Sequence, residues 1–311
     1  MKAVIIGGTG HIGAFLSRMF IDESWETVIV SSGNTPVDDP VINNKAKFVK
    51  CGYNDLVPSG ILKSTLSQYK PDVLIDILQG DSHRLYDLCL ETGVKQYIMC
   101  GSLWMFGRPK VIPTPEITQT PCPFEGYQSR YNTMQAVIKY AEGKDCSTCA
   151  VMPPNICGPG KIPLDGDGGR SLDTHKAHKR GDKVILPYPG TNAVGPCDAE
   201  DVAQGFFRAA LSPANASGEI FNVGSAYALT SEKFIQLLAQ IYGSNIPIEY
   251  VQPDIYESKV SPDIGYNFHF LEHMCPDISK ISRKVGFVPK YTPEETMERA
   301  IKWMFDQGLF A

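Results

Sequence analysis

Long apolar runs are what this sequence lacks first. No segment carries the roughly 20 consecutive apolar residues that a bilayer-spanning helix needs. The opening MKAVIIGG is interrupted by glycine too soon for the apolar core of a secretory leader. The chain is therefore expected to be cytoplasmic, with no membrane partner. A cluster of lysine and arginine is missing too, and the net charge is −5, so no nucleic-acid partner is expected. The nine cysteines are scattered. Their one close pair, Cys146-Ser-Thr-Cys149, falls in an apolar, strand-like run with no second pair and no histidine cluster, which argues against a metal site. Free thiols in a reducing compartment are the better reading. There is no internal repeat and no low-complexity tail.

What is present is a chain of 311 residues, 43% hydrophobic and 20% charged. That is enough for one large domain or two modest ones. Short apolar runs alternate with helix-like stretches through the first half. Ala3–Ile6, Val28–Val30, Phe48–Val49, Val73–Ile77, Gln96–Cys100 and Cys146–Met152 read as strands. Ala14–Ile21, Ile61–Tyr69, Leu85–Thr92 and Tyr127–Glu142 read as the helices between them. Such alternation predicts right-handed βαβ units and a parallel sheet. Pro153–Gly169 is rich in Pro and Gly and reads as loop. Beyond it, Ala199–Leu211, Ser231–Tyr242 (capped by Thr230 or Ser231) and Thr292–Gln307 read as helices, and Glu219–Val223 as a strand.

Between the first strand and the first helix stands Gly7-Gly8-Thr9-Gly10-His11-Ile12-Gly13. Glycines at 7, 10 and 13 permit a tight turn, close approach of backbone N–H groups to a pyrophosphate, and close packing of helix on strand. The alternative is a tight turn with no ligand. At the end of the second strand, a carboxylate would hold the adenosine ribose of NAD. None appears before Asp38; Ser31, Ser32 and Asn34 are there instead, suited to a 2′-phosphate, with no arginine beside them. The expected cofactor is NAD or NADP, with a lean towards NADP.

Taken together, these segments resemble the NAD-dependent epimerase/dehydratase group, the extended short-chain dehydrogenases/reductases. The resemblance rests on GGTGHIG at the start, YIMCGSLWMFG at Tyr97–Gly107, PPNICGPG at Pro153–Gly160, DAEDVA at Asp198–Ala203, GEIFNVG at Gly218–Gly224 and DISKISRKVGFVP at Asp277–Pro289. It implies a Rossmann-type doubly wound parallel sheet with a smaller C-terminal α+β substrate lobe. Residues 1–153 and about 191–223 would form the dinucleotide-binding domain, and about 154–190 with 224–311 the lobe. It also implies homodimerisation through a helix pair that includes the helix carrying Tyr127. Leu78, Gln79, Gly80, Pro153 and Asn155 would join Gly7, Thr9, Gly10, His11, Ile12 and Gly13 around the cofactor.

In that family a Ser or Thr orients the substrate hydroxyl, a Tyr moves the proton, and a Lys four residues later lowers the Tyr pKa. Ser102 and Tyr127 match the first two. The third position is Tyr131, an imperfect replacement; Arg130, one residue earlier, is the nearest cation in sequence. The segment Tyr140–Lys144 also reads Y-x-x-x-K but lies at the helix end, where packing and a solvated charge explain it. On this reading Tyr131→Lys should raise reductase activity. Arginines that could meet a pyrophosphate are missing at Met152 and in Asn192–Gly195, while Arg170, Lys176, Lys179 and Arg180 offer charges in a polar loop. His83 is a further candidate near the nicotinamide. The leading expectation is an NAD(P)-dependent oxidoreductase or epimerase-like enzyme for a small hydroxyl or carbonyl substrate. The alternative is a weakly active or inactive dinucleotide-binding sensor that docks a partner.

Overall fold

The computed structural model describes residues 1–311. Six strands of the first half, β1 (Lys2–Ile6), β2 (Glu26–Ser31), β3 (Lys47–Lys50), β4 (Val73–Asp76), β5 (Gln96–Cys100) and β6 (Ser147–Met152), join Ile220–Asn222 in one parallel sheet. Its order is Ile220–Asn222, β6, β5, β4, β1, β2, β3. Apart from the exposed edge strand β3, the strands are buried on both faces, which is why they read as continuous apolar runs rather than alternating ones. Side chains still divide by parity. Val4 and Ile6 of β1 enter one core with Leu74, Tyr97 and Met99. Ala3 and Ile5 enter a second core with Val73, Ile75 and Ile98.

The first core is closed by α3 (Ile61–Tyr69), α4 (Ser82–Thr92) and α5 (Glu125–Tyr140). The second is closed by α1 (Gly13–Asp22) and α7 (Ala199–Leu211). Cys146 lies in the first and Cys149 in the second, so the two thiols of the close pair are on opposite sides of the sheet. All nine cysteines are unpaired. A third core, with Leu164, Val184, Leu186, Phe234, Leu238 and Ile301, gathers residues from Cys157 onward.

The chain runs outward from β1 to β3 and then returns to place β4 on the other side of β1. A reversal of this kind opens a crevice beyond the carboxyl ends of β1 and β4, the usual ligand position in such sheets.

Two differences from the sequence expectations matter for the site, and one alternative left open there, the cap of Ser231–Tyr242, is resolved. Of the basic residues expected in a loop after Gly169, Arg170 is in one, but Lys176, Lys179 and Arg180 lie on a helix, α6 (Leu172–Arg180), begun by the Ser171 side chain accepting from Thr174 N–H and ended by Gly181 at φ +90°. Its buried face is histidine, His175 and His178, so apolar periodicity could not announce it. A helix at Ile264–Leu271, unmarked in the sequence, is buried at Asn267, Phe268, His269 and Phe270. Thr230 rather than Ser231 caps Ser231–Tyr242, accepting from Lys233 N–H. No helix is long and apolar enough to cross a membrane.

Candidate active site

The glycine loop turns sharply at Gly7, whose φ is +83°. Gly7 N–H donates to the Val30 carbonyl at 2.9 Å, and Gly10 N–H to the Gly7 carbonyl at 3.0 Å. A Cβ on Gly13 would stand 2.2 Å from that same carbonyl oxygen, so only glycine lets the helix start this close to the turn. The N–H groups of His11 and Ile12 bond no backbone carbonyl, and no side chain caps α1. They remain free to donate to an anion at a helix N-terminus.

Above the loop lies a cleft of about 350 Å³, lined from the carboxyl ends of β1, β4, β5 and β6. Gly7, Gly10, His11, Ile12, Gly13, Leu78, Gln79, Pro153 and Asn155 contribute to it, and so do Ser102 and Tyr127. A smaller hollow of about 180 Å³ continues past Thr9 to Ser31 and Ser32. Asn34 and Gly80 line neither; Gly80 faces a neighbouring hollow of about 780 Å³ beside Tyr53 and Arg130. The Asn155 side-chain amide is buried with no hydrogen-bond partner for its nitrogen, an unmet donor inside the cleft. Free loop N–H groups, a cradle that a Cβ would fill, and this orphaned amide fit a dinucleotide.

Ser102 follows β5 by two residues, in extended backbone, and its Oγ accepts from Trp104 N–H at 3.3 Å. Its own proton stays available to a ligand. Tyr127, on the first turns of α5, packs near Trp104 and Phe124. Burial pushes its phenol pKa up; the Arg130 charge pulls it partly back, and Cys100 and Cys122 add to the rise.

Tyr131 does not line the cleft. It is 2% exposed and packs edge-on against Phe106, with ring centres 5.6 Å apart. One turn along a helix that lies over the sheet, this position faces the core rather than the cleft, and the expectation that Tyr131 stands in for the lysine meets no supporting contact. His83 is also elsewhere: it stacks on Tyr140 and lies 3.5 Å from Asp87. Lys144 lies over the Tyr140 ring at 4.2 Å. Among the basic residues after Gly169, only Arg170 lines the cleft. Lys176 donates to the Ala311 carbonyl, Lys179 lies over Phe305 and Phe310, and Arg180 pairs with Asp182.

Four residues that the sequence did not bring forward complete the picture. Lys161 and His269 line the cleft beside Arg170. Trp104 packs tilted against His269, with ring centres 4.7 Å apart. Lys50 ends β3 opposite Ser31, and its stem runs within 3.3 Å of where a Gly33 Cβ would be. That brings a cation to the tip of β2. Asp39, the carboxylate nearest that tip after Asp38, is engaged in capping α2 (Pro40–Lys45) and in pairing with Arg18.

The sequence profile of the NAD dependent epimerase/dehydratase family matches residues 70–224. The chain belongs to that family. Its epimerase/dehydratase relatives share the extended short-chain dehydrogenase/reductase fold across the full length. UDP-glucose 4-epimerase of Thermotoga maritima, solved with UDP-glucose, superposes with a TM-score of 0.75 at 20% identity, covering 99% of each chain. The UDP-glucose-4-epimerase of Stenotrophomonas maltophila, solved with NAD and formylated UDP-arabinopyranose, gives 0.77 at 16% identity over 100% of both. In sequence, the chloroplast stem-loop binding protein of 41 kDa b from Arabidopsis thaliana is 23% identical over 99% of this chain and 80% of its own.

Proposed function

We propose that this member of the epimerase/dehydratase family is an NAD(P)-dependent oxidoreductase or epimerase acting on a small hydroxyl or carbonyl compound. One observation carries the reading: Ser102 and Tyr127 line the same cleft as the glycine loop. The bound nicotinamide would accept or supply a hydride. Ser102 Oγ would hold the substrate oxygen, and the Tyr127 hydroxyl would exchange a proton with it. With burial raising its pKa, Tyr127 carries its proton at neutral pH, which favours donation to a carbonyl during reduction. Residues 154–190 and 224–311 would close over the substrate.

The neighbour solved with NAD supports a nicotinamide dinucleotide. Lys50 beside Gly33, together with Ser31 and Ser32, supports NADP as the preferred form. A second reading, a dinucleotide-binding protein without chemistry, is favoured by the burial of Tyr131 where the family's lysine is expected.

Calorimetric titration with NADPH and NADH, followed by a carbonyl screen with Tyr127→Phe as control, separates the two. The enzyme reading expects NADPH to bind more tightly, and Tyr127→Phe to lose roughly 10²-fold or more in rate with cofactor affinity unchanged. Cofactor binding with no Tyr127-dependent turnover would favour the second reading, and no binding of either nucleotide would sink both.

A further inference from the structure

Lys161 and Arg170 enter the cleft from the segment after Pro153, and neither has an acidic partner. Lys161 has only burial and the Arg170 charge acting on it. Arg170 donates to the Ile162 carbonyl, and the one carboxylate in its range is Asp165. That carboxylate is committed to its own loop. Its Oδ1 accepts from Asp167 and Gly169 N–H, each at 2.9 Å, and its Oδ2 from Ser171 N–H at 2.8 Å. Two like charges are thus held together in a partly desolvated wall, offset only by the Asp165 charge acting on Arg170 without a direct ion pair. Such an arrangement is costly unless a ligand supplies the counter-charge.

The surroundings are built to donate as well. His269 is buried against Trp104, and its Nδ1 has no hydrogen-bond partner. His11 lies in the same cleft. Burial first, then the neighbouring cations, hold His11 down to about 4 and His269 to about 3, so both stay neutral and add no further positive charge. A neutral imidazole still offers one N–H.

The cleft, at about 350 Å³, is near the lower end for small-molecule sites and would also hold the nicotinamide end of the cofactor. That leaves room for a compact partner. Resting on the function proposed above, we infer that Lys161 and Arg170, with His11 and His269, receive a single oxyanion on the substrate. The substrate class is then a small phosphorylated or carboxylated hydroxyl or carbonyl compound. The anion would anchor one end while Ser102 and Tyr127 meet the reacting oxygen at the other.

The competing source of the anion is the cofactor's own pyrophosphate, since His11 belongs to the glycine loop. Inorganic phosphate, with acetate as the carboxylate probe, is therefore titrated into the protein with and without saturating NADPH. Binding is followed calorimetrically and by the His11 ring resonances. Wild type should bind phosphate or acetate saturably in the NADPH-loaded state, and the His11 titration should move upward from about 4 as the cations are neutralised. Lys161→Met and Arg170→Met should each weaken oxyanion binding at least tenfold and leave NADPH affinity within about threefold. Because each removes one of two neighbouring like charges, each should also melt no lower than wild type without ligand. Arg170→Lys, which keeps the charge, should retain part of the binding and guards against misfolding of the Met variant.

Loss of NADPH affinity in parallel with phosphate affinity would assign the pair to the cofactor and overturn the inference. So would oxyanion binding that survives both Met variants, or its absence from the NADPH-loaded wild type. Failure of wild type to bind NADPH while still binding phosphate would instead strike the functional reading alone and leave the oxyanion site standing.

Discussion

Replacing Tyr131 with lysine would restore the family's spacing, yet this fold predicts damage rather than gain. The ring is 2% exposed and meets Phe106 edge-on at 5.6 Å, inside the core that also holds Met134 and Val137. Removing a buried aromatic side chain costs about 3–5 kcal/mol when little replaces it. An edge-to-face pair adds about 0.5–1.5 kcal/mol beyond burial. The lysine stem would refill part of the space, but its ammonium must either be desolvated or give up its proton. A net loss of about 3–5 kcal/mol is therefore expected, and at roughly 2–4 °C per kcal/mol that lowers the melting midpoint by about 6–20 °C. Tyr131→Phe, which keeps the ring, should stay within about 1 kcal/mol of wild type. Thermal melts run beside a hydride-transfer assay decide the matter. A Tyr131→Lys protein that melts with wild type and turns over faster would mean that the ammonium reaches the cleft, and the core placement would be refuted.

Other substitutions test the loop, the cofactor end and the pH response. Gly13→Ala should unseat the glycine loop and lower the melting midpoint, because its Cβ meets the Gly7 carbonyl oxygen at 2.2 Å, whereas Gly10→Ala, with that oxygen at 3.4 Å, should fold normally and lose only nucleotide affinity in calorimetry. Lys50→Glu should weaken NADPH binding about 10–100-fold and shift preference towards NADH; unchanged preference would remove Lys50 from the cofactor site. Asp201 accepts from the N–H groups of Lys290 and Tyr291, and burial raises its carboxyl from 3.8 to about 6. A folded-state pKa above the unfolded one means the contribution is present below about pH 4 and lost as pH rises through about 6. Relative to Asp201→Asn, wild type should thus lose roughly 2–3 kcal/mol across that window in urea titrations; parallel curves would contradict the assignment.

The legibility of the chain was uneven for physical reasons. Buried parallel strands need apolar residues on both faces, so β1, β4, β5 and β6 stood out in sequence. The glycine loop was readable because a strand, a turn and a helix start must coincide there. Ser102 and Tyr127 came forward through family resemblance, as single polar residues in apolar surroundings carry no periodic signal. Lys50 depends on the pairing of β3 beside β2, which puts it level with Ser31, and no local pattern reports that register. His269 comes from a helix whose successive residues Asn267, Phe268, His269 and Phe270 are all buried, leaving no amphipathic stripe to detect. Arg170 looked like one of several basic residues in a loop. Only the fold separates it from Lys176, Lys179 and Arg180, which find partners on the surface.

That separation bears on where the missing charge has gone. In the proposed reading, the family's lysine would have served the tyrosine from the next turn of α5, and here that turn is given to packing. Arg130 still acts on the Tyr127 phenol, but it lines the hollow beside Tyr53 rather than the cleft, and burial outweighs it. The cleft's positive charge stands instead on Lys161 and Arg170, among residues contributed after Pro153. Charge on Tyr127's own helix would favour phenolate and hence oxidation of an alcohol. Charge confined to the substrate side leaves the phenol protonated and favours an anionic carbonyl substrate. Arg130→Gln distinguishes the two contributions. It should raise the pH at which alcohol oxidation begins while leaving phosphate binding intact, and a parallel loss of both would show that the two cation groups are not independent.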